Sequence, residues 1–419
     1  MNTLTLALRG LTRNHRRSIV TLLAIAFGFA AISLFAGYTH NIYSGLARQS
    51  IHGELLGHLT LSKRGMSTAG KLDPQRYLLT LDEVARIEAA LQHESQITLI
   101  APRLAFSGLV TNGRASTIFI AEGISPQAMD RLQENMLTEQ EARSGMYDRL
   151  AKKLDPARES GVALSAGLVE LLHLHVGGEA ILLVNTLSGQ ANAMDVTVDG
   201  SFNTGNAGTN DKFAFVPLAL AQSLLDAEGR ADRLTLLLED VTQTEAIRDR
   251  LLAKLSAAGF DLEIATWQEL SSFYRQVHGM FNMIFGFIFS IVLAVVLMSV
   301  ANSVGMTVIE RTREIGTLRA IGLKRSGVIR LFATETLLLT LLGCGVGFLL
   351  TVGVRYGING SHIAYTPPNG ANAVPLLVDM DYPRILLTMV LMLAVGMLAA
   401  FLPSFRSARQ QIIDALGHV

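Results

Sequence analysis

The stretch MFNMIFGFIFSIVLAVVLMSVANSVGMTVI, Met280–Ile309, contains no aspartate, glutamate, lysine or arginine. About 20 apolar residues suffice for a helix to cross the hydrocarbon of a bilayer, so this run is long enough to span and to spare. Three further uncharged segments qualify on the same ground: Ile19–Tyr38, Thr336–Val354 and Ile385–Phe405. The composition agrees, with 50% hydrophobic residues, only 17% charged and a mean hydropathy of +0.36. An ordinary soluble protein is more polar than this. Four spans predict an α-helical membrane protein.

Charge distribution sets the expected orientation. Arg9, Arg13, Arg16 and Arg17 precede the first span, Arg311, Arg313, Arg319, Lys324, Arg325 and Arg330 lie between the second and third, and Arg406 and Arg409 follow the fourth. The segment from Tyr356 to Pro383 carries no lysine or arginine. Basic flanks stay on the cytoplasmic side, so both termini are expected there and residues of about 40 to 275 outside. The first span lacks a cleavage motif and exceeds the apolar core of a signal peptide, so an uncleaved anchor is expected. Before it, Leu4, Ala7, Leu8 and Leu11 recur at helical spacing opposite arginines, the pattern of an amphipathic helix on the membrane surface. With 35 basic and 35 acidic side chains no field favours nucleic acid, and one cysteine, Cys344, excludes a disulfide framework within the chain.

The long segment between the first two spans reads as α+β. GHLTLS is a strand, Thr80 and Glu83 form a capping box that opens a helix through His93, and SQITLIAPRLAF resumes the sheet. The rhythm recurs in DRLTLLLE, a capping box at Thr242 and Glu245, a helix ending at Gly259, and FDLEIA. Two such units are expected to pair into one lobe, with a strand-rich second lobe at about 108–212 inserted between them. Gly65–Leu72, GMSTAGKL, imitates a phosphate-binding loop. Leu72 stands where a metal-binding hydroxyl is required and Asp73-Pro74 interrupts the following helix, so a surface loop is expected. His173 and His175 would share a strand face, yet no third ligand stands near them in sequence, and a structural or solvated pair is expected. No catalytic motif is apparent.

From about Trp267 to Ala320 the residues support nearly continuous helix, expected to act as a rigid connector longer than the bilayer is thick. After it, VIERTREIGTLRAIGLKRSGVIRLFATE reads as a short helix in which Ile315, Leu318 and Ile321 form an apolar edge, Gly322 ends it and Ser326 caps the next. Such a helix suits the groove of a partner.

ERTREIGTLRAIG closely resembles the motif after the second span in ABC transporter permeases typified by MacB, LolC/LolE and FtsX. LALRGLTRNHRRSIVTLLAIAFG, GVALSAGLVELLHLHVGGEAILL and LPSFRSARQQIIDAL are similar to other segments of that family, so the resemblance covers nearly the whole chain. It implies a four-transmembrane-helix subunit with a large two-lobed α+β extracytoplasmic domain inserted between helices 1 and 2, in the bacterial inner membrane. The layout is a basic helix (1–18), span 1 (19–40), outer domain (41–275), stalk and span 2 (276–309), coupling loop (310–330), span 3 (331–355), outer loop (356–383), span 4 (384–405) and tail (406–419).

The resemblance further implies a dimer with a second permease copy or paralogue and two copies of a cytoplasmic ABC ATPase, leaving room for a periplasmic or outer-membrane partner. ATP and magnesium would belong to the ATPase, so this chain is expected to be non-catalytic, without cofactor or metal. Glu310, Arg311, Arg313, Glu314, Ile315, Gly316, Arg319, Ala320 and Gly322 are then the ATPase-coupling residues. ATP-driven motion would reach the outer domain by mechanotransmission, for release or export of a lipoprotein, lipid or hydrophobic small molecule. The alternative is an FtsX-type subunit that activates a cell-wall hydrolase. This sequence departs from MacB by lacking the fused ATPase domain, and the outer domain of this sequence is larger than expected of FtsX.

The alternation of basic flanks predicts that cysteines placed at Ser201 and Asn369 react with an impermeant maleimide on intact cells. One at Ser326 should react only after permeabilisation. Labelling of Ser326 from outside would overturn the four-span orientation.

Overall fold

A computed structural model describes residues 15–136, 154–204, 208–361, 363–365 and 374–409. The amphipathic stretch around Leu4–Leu11 lies outside the described residues.

Helix α1, His15–Arg48, runs into a π-type turn at Gln49–Gly53. Then come β1 (Leu59–Lys63), the single turn α2 (Pro74–Tyr77), α3 (Leu81–Leu91), β2 (Ile97–Thr111), β3 (Ser116–Ile124) and α4 (Pro126–Gln133). Next are β4 (Gly161–Ser165), α5 (Ala166–Leu171), β5 (Glu179–Asn185), β6 (Ala191–Phe202), β7 (Phe213–Pro217) and α6 (Leu218–Leu225). They are followed by β8 (Arg233–Leu238), α7 (Thr244–Ala257), β9 (Leu262–Thr266) and α8 (Trp267–Leu270). The chain then becomes helical: α9 (Ser272–Glu310), α10 (Thr312–Ala320), α11 (Arg325–Gly360) and α12 (Tyr382–Arg409).

Four of these helices are long and apolar enough to cross a membrane. They form one compact unit, and residues 44–276 make up most of the other. In the helical unit Ile25, Phe29 and Ile32 of α1 share a core with Val296, Val300, Val304 and Val308 of α9, Phe332 and Cys344 of α11, and Met392 of α12. The four valines recur every four residues, so α9 buries one narrow stripe and leaves side chains such as Met283, Phe287 and Met298 exposed for lipid or another chain. Small residues let the backbones approach. A Cβ on Gly343 would lie 2.7 Å from Ile25 Cγ2, and one on Gly347 2.6 Å from the Ala26 carbonyl oxygen. Close packing of this kind replaces the hydrophobic driving force that lipid does not provide.

The expected continuous helix from Trp267 to Ala320 is interrupted twice. Ser271 is extended between α8 and α9, with φ −77° and ψ 94°, and Arg311 breaks α9 from α10 with φ −103° and ψ 12°. What remains, α9, has 39 residues and a length of about 58 Å at about 1.5 Å per residue.

The inserted domain is built on one nine-stranded sheet, in the order β3-β7-β4-β6-β5-β2-β8-β1-β9. The two strand-helix-strand units do pair: β1 lies between β8 and β9, and β8 also takes β2. Helices α3 and α7 cover that half with Val84, Ile87 and Leu91 and with Ile247, Leu251 and Leu255. Long β2 is shared between lobes, since residues 97–103 pair with β8 and 104–111 with β3. The second lobe has its own core, including Phe106, Val110, Phe119, Val162, Leu164 and Val198.

Local expectations divide. The Thr80–Glu83 capping box is present, and a second one is made by Thr266 and Glu269, which the sequence reading did not single out. Thr242 does not cap with Glu245. Asp240 instead accepts from the Thr242 amide at 2.8 Å and opens a 3-10 turn over Val241–Gln243, and α7 begins at Thr244. Helix α3 ends at Leu91, two residues short of His93.

Buried Arg103 fastens the two lobes where β2 changes partner. Its Nη1 donates to the Leu55 carbonyl at 2.7 Å and its Nη2 pairs with Glu122. Glu122 also takes Arg233 at 2.5 Å, and Arg233 reaches Asp232 at 2.7 Å. A guanidinium this buried needs acceptors, and Glu122 of β3 and the carbonyl at the Leu55 turn supply them to its two terminal nitrogens, while Nε has no partner among the described residues.

Two buried histidines stand beside this junction. His52 Nδ1 donates to the Leu132 carbonyl at 2.8 Å, whereas His58 Nδ1 accepts from the Leu238 amide at 3.0 Å. Burial pushes the His58 imidazole down to about 4, with nearby His52 adding to the shift and Asp240 opposing it. Below the unfolded pKa of about 6.5 the unfolded chain therefore binds a proton that the folded one refuses, and stability falls as pH drops from there to about 4. The His58 contribution is about 3 kcal/mol over that window. Unfolding in detergent, followed by the fluorescence of Trp267, the only tryptophan, should show this loss, and His58→Gln should flatten it. An unchanged pH profile in the variant would remove His58 as its source.

Candidate functional site

The segment between the second and third long helices is short, charged and sharply bounded. Thr312 Oγ1 bonds the Val308 carbonyl at 2.9 Å and α10 starts there, after the break at Arg311. Its other end is closed by Gly322 at φ +108°, where the Leu323 amide reaches the Leu318 carbonyl at 3.0 Å. A residue with a side chain is strained in that conformation, which is why glycine ends the helix. Lys324, not Ser326, occupies the cap position of α11, and it makes no side-chain capping bond.

The nine residues expected at a partner contact are distributed over two faces. Arg313, Glu314, Ala320 and Gly322 are exposed, and Glu310 is exposed at the end of α9. Arg319 is half-buried. Ile315 and Gly316 are buried, and Ile315 belongs to the helical core with Val308, Val328 and Phe332. Ile321 is 80% exposed. The single apolar edge expected from Ile315, Leu318 and Ile321 is thus split. Six residues at about 100° each place Ile315 and Ile321 about 240° apart, so one seats α10 on the bundle while the other points away. Ile321 and Leu323 are exposed in a segment that also presents Arg313, Glu314, Lys324 and Arg325, a composition suited to a protein contact with an apolar centre and a charged rim.

Two ion pairs bracket the break. Glu310 Oε1 lies 2.9 Å from Arg17 Nη2 of α1, and Arg311 Nη1 lies 3.4 Å from Glu335 Oε2 of α11. Arg17 was legible only as one of several topological arginines. Glu335 offered a better sign, a lone carboxylate bordering an uncharged span.

Elsewhere the sequence motifs do not assemble into sites. His173 is in a turn with φ +45° and His175 follows in irregular chain, so they do not share a strand face. Among the described residues no group of three histidine, cysteine or acidic side chains converges as metal ligands. GMSTAGKL follows β1 as turns and a three-residue 3-10 helix, with Leu72 91% exposed.

Four membrane-length helices, an α+β domain between the first two and a short charged helix between the second and third define a multi-pass membrane protein. Residues 18–254 match the family model of the MacB-like periplasmic core domain, and residues 286–412 that of the FtsX-like permease C-terminal. The chain belongs to this family of ABC transporter permeases. It is 25% identical over 417 residues to the pyoverdine export ATP-binding/permease protein PvdT of Pseudomonas putida, covering 96% of this chain. It spans 57% of that relative's length. The lipoprotein-releasing system transmembrane protein LolE of Haemophilus influenzae is 22% identical, covering 81% of this chain and 82% of its own. The crystallised periplasmic region of MacB from Actinobacillus actinomycetemcomitans matches 54% of this chain and 95% of that one, at 13% identity and a TM-score of 0.35.

The two faces of the loop predict opposite mutational effects. Ile315→Ala should cost about 2–4 kcal/mol of bundle stability, because a buried methylene cluster is lost from a packed core. Ile321→Ala should leave the unfolding midpoint in detergent unchanged. Equal effects of the two would contradict the split.

Proposed function

We propose that this chain is the transmembrane subunit of an ABC transporter that couples hydrolysis by a separate ATPase chain to release or export of an amphipathic substrate outside the cytoplasm. The carrying observation is α10, a short exposed charged helix placed at the end of a 39-residue spanning helix. With both termini and α10 on the cytoplasmic side, the inserted domain is extracytoplasmic. An ATPase that closes on ATP then moves α10, and α9 passes the displacement across the bilayer as a mechanical stroke. About 58 Å of helix against about 30 Å of hydrocarbon leaves length for this on both sides.

Two copies of the ATPase, each with ATP and magnesium, and a second permease copy or paralogue complete the complex. Arg313, Glu314, Arg319, Ala320 and Gly322, with Ile321, form the contact to the ATPase. Ile315 and Gly316 support it from the bundle side, and Glu310 and Arg311 fix its start. The substrate class is a lipoprotein, lipid or hydrophobic small molecule. Support comes from the relatives, one named for pyoverdine export and one for lipoprotein release.

Purification with the cognate ATPase tests the reading. Glu314→Lys reverses an exposed charge of α10 and should lower the stimulated hydrolysis rate several-fold or weaken assembly, with insertion and unfolding unaffected. Lys71→Ala in the false phosphate loop should leave hydrolysis unchanged. A complex indifferent to Glu314→Lys but silenced by Lys71→Ala would overturn the assignment.

A further inference from the structure

Glu310 and Arg311 are neighbours of opposite charge at the one break between α9 and α10, and they reach to different helices. Glu310 meets Arg17 of α1 at 2.9 Å and Arg311 meets Glu335 of α11 at 3.4 Å. We propose that Arg17 and Glu335 are positioning residues that hold α10 in register with α1 and α11, so that a push on α10 moves three helices together. The inference rests on the reading of α10 as the ATPase contact.

Two tethers from adjacent residues fix the break in both tilt and rotation, where one would leave a swivel. The Arg311–Glu335 pair is the stronger candidate for a rigid tether, since its side chains are only 12% and 13% exposed. Removing one member of such a pair strands the other charge without a partner in a poorly hydrated place. The outer pair, Arg17 with Glu310, is 35% and 38% exposed and is screened more by solvent. The two pairs also share a wall. Arg17, Ser303, Thr307, Glu335 and Thr336 line a cavity of about 20 Å³, and Arg17 Nη1 is buried with no hydrogen-bond partner among the described residues. That volume accommodates one water, which would join Arg17 to the hydroxyls and to Glu335. Neither Arg17 nor Glu335 belongs to the loop itself, so their role is exerted through Glu310 and Arg311.

Hydrogen exchange of the Thr312–Ala320 amides in the full chain in detergent, without ATPase, reads the tether directly. Glu335→Gln and Arg311→Gln should each raise those exchange rates about tenfold, with Arg17→Gln giving a smaller rise, while the sheet amides stay as in the wild type. In the reconstituted complex Glu335→Gln should lower stimulated ATP hydrolysis with the ATPase still co-eluting at the wild-type ratio. The swapped pair, Arg311→Glu with Glu335→Arg, should recover both readouts, which a merely space-filling role would not permit. Unmoved exchange in Glu335→Gln with normal ATPase binding would overturn this inference alone. A swapped variant no better than the worse single one would overturn it too. Failure of the wild-type chain to bind ATPase would overturn the functional reading on which it stands.

Discussion

In hydrocarbon a backbone amide has no water to turn to, so a chain that crosses must satisfy every N–H and C=O within its own segment. That constraint selects helices for all four uncharged runs of this protein. It also removes the hydrophobic attraction between them, which leaves close packing to hold the bundle together. Gly343 and Gly347 of α11 lie against Ile25 and Ala26 of α1 with no room for a Cβ, and the valine stripe of α9 enters the same core. The apolar runs themselves carry no charge, and the ion pairs around Arg311 form at their borders.

Outside that constraint the chain uses a sheet. Nine strands need a continuous ladder, and β2, fifteen residues long, makes one sheet of two lobes by serving both. Its alternation of buried Phe106 and Val110 with exposed Ser107 and Leu109 fits the second lobe, and its earlier half faces the helices of the first. Arg103 lies at the changeover. Its burial is tolerated because Glu122 and the Leu55 carbonyl accept from it, which makes this charge a fastener for three elements at once.

The loop between the second and third long helices shows the same economy. A segment of nine helical residues presents one side to the bundle and another to solvent, and its break is flanked by charges already answered from α1 and α11. Buried Ile315 and the Arg311–Glu335 pair anchor the helix to the bundle, the firm base that the proposed contact with an ATPase requires.

The four apolar runs, their basic flanks, the two strand-helix-strand units and the glycine end of the loop helix were legible in the residues alone, because each depends on neighbours in the chain: apolar runs, the Thr80–Glu83 box, the glycine at 322. Where an expectation missed, a local pattern had competitors. Thr242 lost the cap to Asp240, His173 and His175 left the strand at a turn with positive φ, and the long helix broke at Ser271 and Arg311. Which face of α10 is buried follows from helix packing, since Ile315 and Ile321 are equally apolar and differ only in what α11 and α9 place beside them. Packing alone joined Glu310 to Arg17 and Arg311 to Glu335, pairs separated by hundreds of residues in one case and by a helical reversal in the other. Spacing along a chain records local geometry; which distant charge answers another depends on how the helices pack.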